Sequence, residues 1–191
     1  MTRACAVALA VAVTVSACGS GGDTEPSATQ SVGVSASPSV ESETLTDDEL
    51  RALLPPGAER DDEVGAIATA RYFVILRGTL FDGKNFDQWQ ALSTPDCSFC
   101  IQNSDEIRDL VSQGIVRSGG QIMFRDEQTR TVVDSQSGNI GVFLYFQEDP
   151  STETNPEGGV ESFSGGEIEV LVEMVLVNEI WRVNGVNVTS L

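Results

Sequence analysis

The sequence predicts an α+β domain, in which helices that come first in the chain pack on one face of an antiparallel sheet. Up to Gly114 the apolar residues recur at helical spacing, and after Gly119-Gly120 they alternate with polar residues as strands do. Turns and one polar loop separate the strand-like segments, which predicts an antiparallel meander. About 130 residues are available to this domain, enough for a single core.

The first two helices have clear start and stop signals. Thr46-Asp47-Asp48-Glu49 is a capping-box pattern that opens a short helix over residues 47–54, and Pro55-Pro56 ends it. Asp61-Asp62 places negative charge at the start of a longer helix, whose broad apolar face continues to Arg77. This second helix is therefore expected to pack on a large apolar surface.

Two further helices follow a break over residues 78–84, where Asp82-Gly83 has turn chemistry. The first of them is short and covers residues 86–92. The second opens at Pro95-Asp96 and ends at Gly114. Its apolar face consists of Cys97, Cys100, Ile101, Ser104, Ile107, Leu110 and Val111.

In the second half of the domain, the alternation of apolar and polar residues predicts strands. They are expected over residues 121–133, 140–147, 167–177 and 180–188. Asn178-Glu179 forms a tight two-residue turn between the last two. Residues 148–166 are rich in Pro, Gly, Ser and Glu and predict an exposed, mobile loop.

The chain begins with a segment typical of protein export. Residues 1–17 combine a basic Arg3, an apolar run and small residues before Cys18, and the run is shorter than the roughly 20 residues that span a bilayer. Residues 18–46 are mostly Gly, Ser, Thr, Pro, Ala and acidic residues, which predicts a disordered linker. We therefore expect a signal peptide over 1–17, a linker over 18–46 and one domain over 47–191.

The composition excludes several classes of function. A formal net charge of -18 repels phosphates, so nucleic acid binding is excluded. The chain has no histidine, which removes Ser-His-Asp and Cys-His catalysis and the commonest metal ligand. No cofactor and no metal is predicted.

Val15-Ser16-Ala17-Cys18 resembles the bacterial lipobox, in which the cysteine receives a diacylglycerol and becomes the first residue after cleavage. The resemblance implies that the lipid on Cys18 anchors the protein in the cytoplasmic membrane. The domain is then exported and lies on the outer face of the cell membrane. The alternative is an ordinary signal peptide cut near an incidental cysteine. Since Cys5 leaves with the leader, Cys97 and Cys100 remain as a pair in an oxidising compartment and are expected to form a disulfide.

Several short motifs from about residue 50 to the end resemble a family of exported lipoproteins of high-GC Gram-positive bacteria, whose domain is of unknown function. The motifs are Pro56-Gly57-Ala58, Arg71-Tyr72-Phe73, Leu92-Ser93, Pro95-Asp96-Cys97-Ser98-Phe99-Cys100, Gly119-Gly120 and Trp181-Arg182-Val183. The order of elements is also similar to the cystatin-like cone of nuclear transport factor 2, which implies a curved sheet around a long helix and a pocket. That superfamily contains isomerases, dehydratases and binding domains, so the fold alone implies no activity.

The Cys97-Ser-Phe-Cys100 motif allows two interpretations. At a helix N-terminus a thiol pKa is lowered, as in disulfide oxidoreductases. The redox fold places this motif after a strand, whereas here a helix precedes it, so a structural disulfide is favoured. Zinc would need two further ligands. Asp82, Asn85 and Asp87 could supply oxygen ligands for calcium, but no Glu follows at the position that closes a calcium-binding loop. A solvated turn is therefore the favoured interpretation of this segment.

Candidate pocket residues come from the strands and the aromatic residues. Glu167, Glu169 and Glu173 share one strand face, which is either solvated or, on the concave side of a curved sheet, lines a pocket. The possible pocket set is Tyr72, Trp89, Phe124, Glu173 and Trp181, although large aromatic residues are more often core.

The leading hypothesis is a membrane-anchored, extracytoplasmic binding or accessory domain without catalytic machinery. Its expected partner is an envelope protein or a small ligand. One rival is a small enzyme that uses a buried carboxylate, Asp126 or Glu173, as a proton shuttle. The other is a thiol-disulfide protein that uses Cys97 and Cys100.

Overall fold

Four α-helices precede all of the strands within residues 45–190, the range that the computed structural model describes. The predicted signal peptide, Cys18 and the linker up to residue 44 lie outside this range. The helices are α1 (Asp47–Leu53), α2 (Glu63–Leu80), α3 (Phe86–Leu92) and α4 (Ser98–Ser112). None of the helices in the described range is long and apolar enough to cross a membrane.

Side chains cap the first two helices as the sequence predicts. The Thr46 hydroxyl accepts from the Glu49 N–H at 3.3 Å, and Glu49 Oε2 accepts from the Thr46 N–H at 2.9 Å, which completes a capping box. Asp62 Oδ1 accepts from the Val64 and Gly65 N–H groups at 3.1 and 3.2 Å. The predicted end of α2 at Arg77 is wrong by three residues, because the apolar face continues through Leu80, which is fully buried.

The Asp62 cap is expected to make the stability of the fold depend on pH in acid. The hydrogen bond from Arg60, more than the bonds from the Gly65 and Val64 N–H groups, lowers the pKa of Asp62 from 3.8 to about 2. The ionised Asp62 carboxylate therefore stabilises the fold fully above pH 3.8, and this stabilisation is lost as the pH falls through about 2. We expect the thermal midpoint to fall in this window, and less steeply in Asp62→Asn. An equal fall in both proteins would contradict this role of Asp62.

The main sheet is antiparallel throughout. Its strands are β2 (Ile122–Phe124), β3 (Arg130–Val133), β4 (Ile140–Glu148), β7 (Gly166–Val177) and β8 (Ile180–Ser190). Strands β2 and β3 both pair with β4, which pairs with β7, and β7 pairs with β8. Asn178 and Glu179, with φ of 51° and 63°, confirm the predicted two-residue turn between β7 and β8.

The single strand predicted over residues 121–133 is wrong. A short 3₁₀ helix, Asp126–Gln128, divides it into β2 and β3. Arg71 on α2 binds the Asp126 carboxylate, and the Arg125 N–H donates to the Tyr145 carbonyl at 2.7 Å. These contacts hold the 3₁₀ helix against α2 and β4.

A second, three-stranded sheet contradicts the prediction of a mobile loop over residues 148–166. It consists of β1 (Val116–Gly119), β5 (Ser151–Thr154) and β6 (Val160–Phe163), in the order β1-β5-β6 with antiparallel pairing. The side chains of β6 are exposed. The sequence of β5, Ser-Thr-Glu-Thr, has no apolar alternation, so pattern reasoning could not find this strand.

The core lies between the helices and one face of the main sheet. From α2 it contains Ala66, Ala70 and Phe73, and from the sheet it contains Val142, Leu144, Val170, Val172 and Met174. Charged residues of β7, Glu167 and Glu173, are exposed on the opposite face. This arrangement confirms the predicted α+β class with helices first and antiparallel strands after them.

Candidate functional site

A cleft of about 330 Å³ opens between the helices and one end of the main sheet. Its deepest residues are Phe73, Trp89, Phe146 and Val170, all buried. The register of the strands brings its sheet residues together, because Ile168 pairs with Phe146 and Val170 pairs with Val188. The remaining lining residues are Val74, Arg77, Phe99, Asn103, Ile122, Glu148, Ile168, Val186 and Val188.

Two stacked aromatic rings form one wall of the cleft. The Phe73 and Trp89 ring centroids lie 3.9 Å apart with an interplanar angle of 22°. The Trp89 indole Nε1 donates to the Cys100 carbonyl at 3.0 Å, which joins α3 to the first turn of α4. The wall is therefore fixed by packing and by a buried hydrogen bond.

Arg77 is the cationic group in the lining of the cleft. Its Nε donates to Asn103 Oδ1 on α4 at 2.9 Å, and its guanidinium lies 5.6 Å from the centre of the Phe81 ring. Within residues 45–190 no carboxylate forms an ion pair with Arg77, and its other N–H groups donate to no protein atom. Burial, and after it the like charge of Arg117, lowers the pKa of Arg77.

A group of three charged side chains, the Arg117 cluster, meets the cleft at Glu148. Arg117 on β1 binds Glu148 Oε1 on β4 at 3.0 Å and Glu153 Oε1 on β5 at 3.2 Å. The side chains of Arg117, Glu148 and Glu153 are only 16, 19 and 12% exposed. The Arg117 cluster thus joins the second sheet to the main sheet, and Glu148 reaches the cleft already paired.

Cys97 and Cys100 are joined by a disulfide at the start of α4. Both residues are fully or almost fully buried, with 0 and 1% exposure. A thiol-disulfide enzyme needs an accessible sulfur that a partner thiol can attack, so the burial contradicts that hypothesis. The disulfide supports the helix whose Cys100 carbonyl receives the Trp89 hydrogen bond.

Cys97→Ser is expected to lower the free energy of unfolding by about 2 kcal/mol or less, with the fold retained, because the closed loop is very short. Urea unfolding of the full chain, followed by circular dichroism, measures the change. Replacing both cysteines by serine should cost about the same as the single change. Complete loss of folded signal in either variant would contradict this local role.

Of the predicted pocket residues, Trp89 lines the cleft and the other four lie elsewhere. Trp181 is buried and donates to the Arg60 carbonyl at 2.9 Å, and Tyr72 accepts a hydrogen bond from Gln88. Phe124 packs edge-on against Phe146 with centroids 5.7 Å apart, so it lies behind the cleft wall. Glu173 is exposed on the outer sheet face. The concave-face hypothesis for the β7 carboxylates is wrong, because the helices cover the other face of β7.

Neither of the two carboxylates in the proton-shuttle hypothesis is buried. The Asp126 side chain is 73% exposed and pairs with Arg71, and Glu173 is exposed. A general base in an apolar pocket must be buried for its pKa to rise. No group of three His, Cys, Asp or Glu within residues 45–190 is arranged to hold a metal ion.

Sequence reasoning missed Arg77 and Asn103 as site residues. The apolar periodicity indicates Arg77 only as the end of a helix. A signal was present, since Phe73, Arg77 and Leu80 fall at spacings of four and three on one face of α2. A cation on an otherwise apolar stripe faces the interior, and that position marks it as unusual.

No family model matches the chain, and no curated protein matches it in sequence. Distant structural likenesses exist. The intermembrane space region of chloroplast protein ARC6 is 10% identical with a TM-score of 0.46, over 64% of this chain and 95% of that one. Aln2 from a Streptomyces species is 13% identical with a TM-score of 0.42, over 65% and 89%. A protein from Catenulispora acidiphila is 15% identical with a TM-score of 0.42, over 67% and 93%. These values are too low to carry an argument about function.

Proposed function

We propose that this protein is a membrane-anchored, extracytoplasmic, non-catalytic binding domain whose cleft takes up a small apolar ligand. The observation that carries the proposal is the cleft itself. Ligand sites are concave, mostly apolar, carry a few polar groups and have volumes of about 300–1,000 Å³. A volume of about 330 Å³ and a lining dominated by aromatic and branched aliphatic side chains fit that description.

The polar groups of the cleft favour binding over catalysis. Glu148 is the carboxylate in the lining, and Arg117 already holds it. Arg77 donates hydrogen bonds, and Asn103 both donates and accepts them. Both side chains can orient a ligand, and neither is a proton shuttle near neutral pH. We propose in addition that the chain belongs to the exported lipoprotein family that its motifs resemble, and that it has the cone fold of nuclear transport factor 2, in which a helix-covered sheet also leaves a pocket.

Aminonaphthalene, a small neutral dye whose fluorescence increases in apolar surroundings, tests the cleft. We expect it to bind the full chain carrying Cys18→Ser, which removes the anchor. In that background Val188→Trp should weaken dye binding at least about tenfold, because Val188 is 50% exposed at the open end of the cleft. Leu176→Trp is the matched control, since Leu176 is also on a core-side strand position, 40% exposed, and outside the cleft. Failure of the dye to bind, or equal binding by both tryptophan variants, would overturn the proposal.

Cys18→Ser is also expected to abolish membrane attachment. The exported wild-type protein should partition into the detergent phase, because two acyl chains hold a protein stably in a membrane. The variant should appear in the aqueous phase. Ser16→Ala, which leaves the cysteine in place, serves as the control. Detergent partitioning that persists without the Cys18 thiol would contradict the anchor and leave the cleft proposal unaffected.

A further inference from the structure

The ligand of the cleft is defined most sharply by Arg77. An arginine has five N–H donors and stays charged in proteins. Here one donor is used by Asn103, and the others have no protein acceptor within the described range. Arg77 is half-buried in the lining of an apolar cleft, and a guanidinium there without a bonded carboxylate is suited to an anion that arrives with the ligand.

The neighbouring charges support this assignment. The carboxylates of Glu148 and Glu153 both bind Arg117, and neither is hydrogen-bonded to Arg77. They act on Arg77 only through space, where their charge opposes the lowering of the Arg77 pKa by burial. Arg77, a residue of the cleft lining, therefore has terminal N–H groups that no carboxylate of the described range binds.

We infer that the cleft binds an apolar molecule ending in a single carboxylate, with the carboxylate on the guanidinium of Arg77 and the apolar body against Phe73, Trp89 and Val170. This inference rests on the proposed binding function. The guanidinium presents paired N–H groups that match the two oxygens of a carboxylate. A dianionic head group such as a phosphate monoester is disfavoured, because Glu148 lines the same end and repels a second negative charge.

The size of the cleft limits the apolar body. At the roughly 30 Å³ that a water molecule occupies in the liquid, a cleft of about 330 Å³ holds about eleven non-hydrogen atoms. A medium-length alkyl carboxylate such as octanoate fits this limit. Longer chains would extend past Val188 into solvent.

The test compares octanoate, octanol and octyl phosphate by calorimetry on the full chain with Cys18→Ser. Octanoate should bind about tenfold or more tightly than octanol, as expected for a charge-assisted hydrogen bond. Arg77→Met keeps an apolar stem of similar length and should remove this preference while leaving octanol and aminonaphthalene within about threefold. Arg108→Met is the matched control, because Arg108 is an exposed arginine outside the cleft, and it should keep the preference.

Each other outcome identifies what has failed. Equal binding of octanoate and octanol, a preference that survives Arg77→Met, or tighter binding of octyl phosphate overturns the carboxylate assignment. Binding of aminonaphthalene with no binding of any octyl ligand also overturns it and leaves the proposed function standing. No binding of aminonaphthalene overturns the proposed function itself. Thermal unfolding of Arg77→Met checks that lost binding does not reflect a lost fold.

Discussion

Trp89→Ala is expected to lower the free energy of unfolding by about 3–5 kcal/mol, the usual cost of removing a large aromatic side chain from a core. Trp89 is 1% exposed and stacks on Phe73 with ring centroids 3.9 Å apart. Its loss leaves a cavity beside the cleft. It also removes the hydrogen bond from the indole N–H to the Cys100 carbonyl, which adds about 0.5–1.5 kcal/mol to the cost.

Urea unfolding followed by circular dichroism measures this change, since Trp181 alone would remain as a fluorescent reporter. Trp89→Phe is the matched control, because it keeps an aromatic ring against Phe73 and loses the hydrogen bond. We expect it to cost about 1–3 kcal/mol. A Trp89→Ala variant within about 1 kcal/mol of wild type would show that this wall does not hold the helices together.

Arg117→Met is expected to cost about 3–5 kcal/mol, the range found when one partner of a buried ion pair is removed. The change leaves Glu148 and Glu153, 19 and 12% exposed, without their cation. It also removes the side-chain bridge between β1 of the second sheet and β4 of the main sheet. Hydrogen exchange should therefore speed up in β1, β5 and β6 more than in β7 and β8.

Arg130→Met gives the comparison for Arg117→Met. Arg130 lies on β3, its side chain is 50% exposed, and its nearest ion-pair distance is 3.6 Å to Glu169. Exposed pairs contribute about 0–1 kcal/mol, so this variant should be close to wild type. If Arg117→Met were no more destabilising than Arg130→Met, the Arg117 cluster would not hold the two sheets together.

Elements with local signals were predictable from the sequence. The starts of α1 and α2 depend on Thr46 and Asp62, whose side chains bond backbone N–H groups within three residues along the chain. The β7–β8 hairpin depends on a two-residue turn between strongly apolar strands. In each case the residues that determine the structure are adjacent in sequence, so no tertiary information is needed.

The second sheet and the cleft depend on contacts between distant residues. Strand β5 is polar and becomes a strand because β1, about 35 residues earlier, pairs with it. Arg77 and Asn103 meet only when α2 packs beside α4. The sequence leaves open whether the Glu173 face is solvated or lines a pocket, because alternation along a strand separates its two faces but does not say which one the helices cover.

The attachment of α1 has a mechanical consequence. This helix of seven residues pairs with no strand and is held by the buried Leu50, by the Asn178 amide donating to Asp47 at 2.9 Å, and by Arg182. Tension applied from the N-terminal side reaches α1 before any other element of the described chain. Side-chain contacts that break one after another need less force than the hydrogen bonds of a paired strand, which must break together when the strand is pulled along its axis. A pull would thus detach α1 first, and the added slack would relieve the load while the sheet and its cleft stay intact.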